Sequence, residues 1–134
     1  MKKKIWAEAD IAASLAKVVI FSELDLDEPY TLAEKIAPLT SVVVTQASRG
    51  AELFIREKRI HIPAYEITEI DPTGAGDVFA AAFLVRLKES GDPIEAAGFA
   101  CCAASFVCEK EGTGGIPTLG EVLKRKEDYG ARNA

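Results

Sequence analysis

Seven consecutive residues, Asp71-Pro72-Thr73-Gly74-Ala75-Gly76-Asp77, carry the densest chemistry of the chain and run straight into the apolar stretch from Val78 to Val85. A turn of small residues that opens a buried helix leaves its first backbone N–H groups without carbonyl partners, at the positive end of the helix dipole. That arrangement suits an anion. Asp77, in the first turn, sets a carboxylate beside the anion position. The dipole stabilises this carboxylate, but it would repel a phosphate, so its presence needs a reason beyond capping. On spacing alone, a plain N-terminal cap with glycines for tight packing accounts for the residues equally well.

The elements that must position this turn can be read in order. Good helix formers from Glu8 to Lys17, with Ile11 and Leu15 on one face, predict a helix, and Val18 to Phe21 a short buried strand. Ser22 to Glu28 is an acidic loop, whose plain reading is a solvated turn. Thr31 with Glu34 forms a capping-box pattern for a short helix that Pro38 stops. Ser41 to Thr45 is β-branched and apolar on both faces, which suits the interior of a parallel sheet. After the turn Gln46 to Gly50, the runs Ala51 to Arg56 and Arg59 to Ile62, parted by Glu57-Lys58, predict a hairpin at a sheet edge. His61 alternates away from Ile60 and Ile62, an exposed rather than a catalytic position. Pro63 to Ile70 reads as extended. A helix from Ala75 to Ser90 ends on Gly91, and Asp92, Pro93 and Glu95 open a second that lasts to about Lys110. Both are apolar nearly all round, which predicts cover on several sides. Gly112 to Pro117 is a loop, and Thr118 with Glu121 caps a last helix that frays near Gly130.

The chain's 134 residues fit one domain with a core of its own. No repeat and no linker divides it. A formal charge of −5 argues against a nucleic-acid surface, and Met1-Lys2-Lys3-Lys4 is too short to reverse that. The uncharged run from Ala96 to Cys108 falls short of the roughly 20 residues needed to span a bilayer, and Ile5-Trp6 is not the core of a signal peptide. The expectation is a cytoplasmic protein without membrane contact. Cys101, Cys102 and Cys108 lie in that apolar run, where small core residues in a reducing compartment are the plain reading. One histidine and no paired-cysteine motif argue against zinc.

Asp71 through Phe83 resembles, position by position, the C-terminal signature of the ribokinase or pfkB family of ATP-dependent carbohydrate and nucleoside kinases. The order of elements agrees from about Val18 to Leu123, which corresponds to the C-terminal half of a usual member. The resemblance implies an α/β, ribokinase-like three-layer α/β/α fold, Rossmann-like, represented by its C-terminal portion with a small edge hairpin, residues 1–134 forming one domain. It also implies that the Gly74, Ala75 and Gly76 amides form an anion hole for the transferring phosphoryl group, with Asp77 as the base that takes the acceptor hydroxyl's proton. Phosphoryl transfer needs those parts: fixed dipoles where charge gathers and a carboxylate within reach of the attacking hydroxyl.

Further sites follow from the same resemblance. Thr45 to Gly50 looks like the family's Thr-x-Gly-x-x-Gly turn beside the nucleotide, with Ala47 where glycine is usual, so that Thr45, Ala47 and Gly50 are cofactor-binding candidates. Alanine there disfavours a positive φ. Ser22 to Asp25 stands where many members have Asn-x-x-Glu, which makes Asp25 a magnesium candidate. Asp71 and Thr73, with the loop holding Gly112, are placed at a monovalent cation such as K+, and Cys101 near a nucleotide contact. The implied ligands are ATP, Mg2+ and a sugar or sugar-like acceptor. The strands that would hold the acceptor belong to the family's N-terminal half, which has no counterpart here. Two functions stay open: a phosphotransferase domain, and a non-catalytic nucleotide- or anion-binding half that works by association with another chain, as a homodimer or with a separate N-terminal half. A Rossmann dehydrogenase fits poorly, since its glycine turn should follow the first strand.

Overall fold

The computed structural model describes residues 15–110 and 116–132. The helix expected over Glu8 to Lys17, the N-terminal lysines and the loop Gly112 to Pro117 fall wholly or mostly outside them. The chain divides into two compact units, Met1–Ile62 and Pro63–Ala134.

The first unit is a four-stranded sheet in the order β1 (Val18–Ser22), β2 (Ser41–Thr45), β3 (Ala51–Ile55) and β4 (Lys58–Ile62). β1 and β2 are parallel, with Val18 opposite Ser41 and Ser22 opposite Thr45, because the chain returns between them through helix α1 (Pro29–Ile36). β2 and β3 are joined by a turn too short for a crossover and are therefore antiparallel, so the sheet is mixed where β2 alone reads as parallel. Val42, Val43 and Val44 are buried, as their two-sided apolar pattern predicts. Val42 and Val44 form a core with Phe54 of β3 and Leu32, Ala33 and Ile36 of α1. β3 and β4 form the expected edge hairpin, with Leu53 opposite Ile60. Its turn is Arg56-Glu57, one residue earlier than the sequence suggests, and Arg56 takes the left-handed backbone (φ 57°) that a two-residue connection demands.

α1 corrects the capping-box reading. The helix starts at Pro29 with Glu28 as N-cap and no side-chain bond there, so Thr31 lies within the first turn. Proline is pre-shaped for the first helical position and has no N–H to orphan. Starting there also lays Tyr30 against the core.

The second unit is helical. α2 (Ala75–Ser90) ends on Gly91 at φ 68°, whose N–H donates to the Leu87 carbonyl at 2.8 Å. Asp92 then caps α3 (Pro93–Cys108), accepting from the Ile94 amide at 2.9 Å. Glu95 does not complete a capping box in the expected way; it receives Arg86 of α2 at 3.1 Å and Lys126 of α4 (Leu119–Arg132) at 3.8 Å. The Thr118–Glu121 box does form, with the Thr118 amide donating to Glu121 at 2.9 Å and the Glu121 amide to the Thr118 hydroxyl at 3.2 Å. These bonds hold the Glu121 carboxyl below its ordinary range. α4 persists to Arg132, beyond the expected fraying point.

The two apolar helices differ in cover. α3 is buried nearly all round through small residues, Ala96, Ala97, Ala100, Cys101, Cys102 and Ala103, which allow close approach. α2 buries Phe79 and Phe83 but leaves Leu84 and Val85 exposed, Val85 at 57%. Two helices that both read as apolar nearly all round thus do not receive equal cover.

Candidate functional site

The signature turn of the second unit is built from main-chain bonds and the Asp71 carboxylate. Its entry is pinned to the end of α3, where the Ile70 and Asp71 amides both donate to the Cys108 carbonyl, at 2.7 and 3.1 Å. That carbonyl is one of those a helix terminus leaves unpaired. Asp71 Oδ1 then accepts from both the amide and the hydroxyl of Thr73, at 3.0 and 2.6 Å, closing an Asx turn. Gly74 caps α2 from the left-handed region, φ 84°.

The Ala75 amide is already engaged with the Pro72 carbonyl at 3.0 Å, and the helical ladder resumes where Val78 donates to Gly74 at 3.0 Å. Of the Gly74-Ala75-Gly76 triplet, the Ala75 amide is thus engaged within the turn, while those of Gly76 and Asp77 precede the helical ladder. A Cβ added at Gly74 or Gly76 would meet nothing within 4 Å. Gly74 is demanded by its backbone, whereas Gly76 is helical and carries the roughly 1 kcal/mol penalty of glycine in a helix with no packing reason among the described residues. Its open side is a fit for a group that must approach the backbone. Asp77 is exposed in the first turn beside those amides.

The first unit brings two turns together at one end of its parallel strand pair. The Glu23 amide donates to the Thr45 carbonyl at 3.0 Å, and the Glu23 carboxylate takes the Arg49 guanidinium in a two-oxygen ion pair. Asp25 is turned back onto its own loop, with Oδ2 accepting from the Ser22 amide at 3.0 Å. Thr45 Oγ1 donates to the Phe21 carbonyl at 3.5 Å. Ala47 takes a positive φ of 52° and Gly50 one of 104°, so Ala47 adopts the glycine-like backbone that its side chain disfavours. Glu23 and Arg49 were not singled out in the sequence; the only signal was an acid and a base in the two loops that follow adjacent parallel strands. Arg49 stays largely open to solvent, with 62% of its side chain exposed.

Of the remaining candidates, Gly112 lies outside the described residues. Cys101 is buried in α3, and burial first, then neighbouring Cys102, pushes its thiol up to about 12. Cys102 and Cys108 are also raised by burial. All three thiols are neutral at physiological pH, and Cys101 and Cys102 are core groups while Cys108 is only partly buried. Among the described residues no three acidic, histidine or cysteine side chains form a metal-holding group. Asp25 is therefore not part of such a group. No helix of the described residues is long and apolar enough to cross a membrane. His61 is at the surface and pairs with Glu52 at 2.5 Å.

The architecture is that of the ribokinase-like α/β kinases. Ribokinase from Thermotoga maritima superposes with a TM-score of 0.76 and 28% identity, over 84% of this chain and 42% of its own. A ribokinase II from E. coli in complex with ATP and Mg2+ gives a TM-score of 0.77 at 22% identity, over 89% and 42%. The chain belongs to the pfkB family of carbohydrate kinases, which matches residues 8–119. It is 36% identical over 105 residues to ribokinase from Bacillus subtilis (strain 168), covering 78% of this chain and 34% of that one. The chain therefore spans about a third of that relative's length, 34%.

Proposed function

We propose that this chain supplies the phosphoryl-transfer machinery of an ATP-dependent kinase acting on a hydroxyl of a sugar or related small molecule. The observation that carries the reading is Asp77, exposed in the first turn of α2 beside amides whose open side a Cβ would not obstruct. Asp77 accepts the proton of the acceptor hydroxyl as that oxygen attacks the γ-phosphorus, and the bond from phosphorus to the β-phosphate oxygen breaks. The amides at the start of α2 face the charge that gathers on the phosphoryl oxygens. Gly74 makes this possible by turning the chain into the helix without a side chain. Thr45, Ala47 and Gly50 present the nucleotide turn. Asp25 would hold a magnesium ion, and Asp71 with Thr73 a monovalent one such as K+. Bound magnesium would neutralise phosphate charge. The ribokinase II structure with ATP and Mg2+ supports a nucleotide and a metal in this reading.

The test is ATP turnover with magnesium across a panel of sugars, for the wild type and Asp77→Asn. A loss of about 10²–10⁴-fold is expected, the range for removal of a positioned general base. Equal rates in the two proteins would refute the role of Asp77.

A second reading draws on the 34% coverage of the Bacillus subtilis relative. In it the chain binds nucleotide or anion and acts only with another chain, a second copy or one carrying the acceptor site. Positioning the acceptor can be worth roughly 7–11 kcal/mol of a barrier, so without it turnover is lost while binding survives. A monodisperse monomer that phosphorylates a sugar unaided would rule this reading out.

A further inference from the structure

Gln46, the first residue after β2, is only 5% exposed, an unusual setting for a glutamine. Its main chain closes the following turn twice, donating to the Gly50 carbonyl at 2.8 Å and accepting from the Arg49 amide at 3.1 Å. Its side chain points inward, where Nε2 donates to the Tyr30 hydroxyl at 2.6 Å, and Oε1 is buried with no partner among the described residues. Tyr30 lies in the first turn of α1. Its ring carries the Arg59 guanidinium 4.7 Å from the centroid, and Arg59 Nε donates to buried Glu52 at 2.9 Å. A continuous line of contacts therefore runs from the turn, through the start of α1, to the edge hairpin.

A leucine would fill the site of Gln46 without burying an unpaired carbonyl, so packing does not explain the amide. What an amide adds is direction. Its bond to Tyr30 fixes the rotation of the Gln46 side chain, and with it the backbone leading into Ala47, which must be kept in a left-handed conformation that alanine resists. We propose that Gln46 is a positioning residue, which through Tyr30 holds the Gln46–Gly50 turn in the shape that presents its backbone to a nucleotide. This rests on the nucleotide reading of that turn proposed above. It adds that nucleotide affinity is set from beneath by a side chain that touches no ligand.

Gln46→Leu, Tyr30→Phe and the double variant test this with two measurements on the full chain. Tyr30→Phe removes one hydroxyl and keeps the ring, so it guards against a folding failure of the first variant. Amide hydrogen exchange without ligand is expected to speed up about fivefold or more at Arg49 and Gly50 in each single variant, the scale of one lost hydrogen bond. The double variant should be no faster, and Val43 and Val44 should exchange as in the wild type. The Kd for MgADP is expected to rise by a similar factor while the thermal midpoint holds, a split that a merely structural role would not produce. Unchanged exchange at Arg49 and Gly50 in both single variants overturns the positioning role. Faster exchange with unchanged MgADP affinity overturns its link to nucleotide. A wild-type chain that shows no MgADP binding overturns the nucleotide reading of the turn itself, and faster exchange in the variants would then still support the hold of Gln46 on the backbone.

Discussion

Two turns in this chain make the same demand on the backbone and meet it with different residues. At Asp71–Asp77 the left-handed position is Gly74, φ 84°, for which that region is free of steric cost. At Gln46–Gly50 one left-handed position is Gly50, φ 104°, but another falls on Ala47, φ 52°, where an L side chain costs roughly 1–2 kcal/mol. The first turn is held by its own composition, the Asp71 carboxylate and a main-chain tie to the end of α3. The second is held by its surroundings: Gln46 and Tyr30 beneath it, and the Glu23–Arg49 ion pair across it. A turn that relies on its neighbours responds to changes in them, whereas one that relies on glycine responds chiefly to changes in itself.

The largest expected effect that tests this contrast is Gly74→Ala. Forcing a Cβ into that φ should cost roughly 1–2 kcal/mol in urea unfolding, although space for the methyl is open. Ala47→Gly should act in the opposite direction. Relief of strain less the added freedom of the unfolded chain leaves a gain of up to about 1 kcal/mol, read as a higher urea midpoint. Destabilisation by Ala47→Gly would break the comparison, because the alanine would then not be strained. The smallest effect concerns the remote support of the second turn. Burial alone would raise the Glu52 carboxyl, but hydrogen bonds and charge from Arg59 and His61 outweigh it and hold the group below its ordinary 4.5. A depressed carboxylate contributes stability above its unfolded value and loses it as pH falls through the folded one. The wild type should therefore lose urea stability as pH drops below 4.5, and Glu52→Gln should flatten that part of the profile.

Much of this was legible because the residues in question answer to local rules. The β-branched run Ser41–Thr45, the hairpin, the glycine stop at Gly91, the Asp92 cap and the Thr118–Glu121 box all depend on neighbours within a few positions, and all form, the hairpin with its turn one residue early. The signature at Asp71–Asp77 was legible through its family pattern. What was not legible depends on distant partners. A capping-box spelling at Thr31 and Glu34 lost to Pro29 and to the packing of Tyr30. Glu52 alternates onto a face where a charge should be costly, and only its register opposite His61, with Arg59 beside it, makes it tolerable at 8% exposure. Val85 reads as core and is open, since hydropathy states what a residue can bear and not what will cover it.

The tie between the signature and the end of α3 has one further consequence. Ile70 and Asp71 reach the Cys108 carbonyl through their amides alone, so the anchorage is indifferent to which side chains stand at 70, 71 and 108. Substitution there can alter the thiol, the acid or the apolar contact and leave the anchor in place. Only proline at 70 or 71 would delete a donor. The height and direction at which the chain enters its glycine turn are thus written in atoms common to every residue but one, and no reading of side chains could have found them.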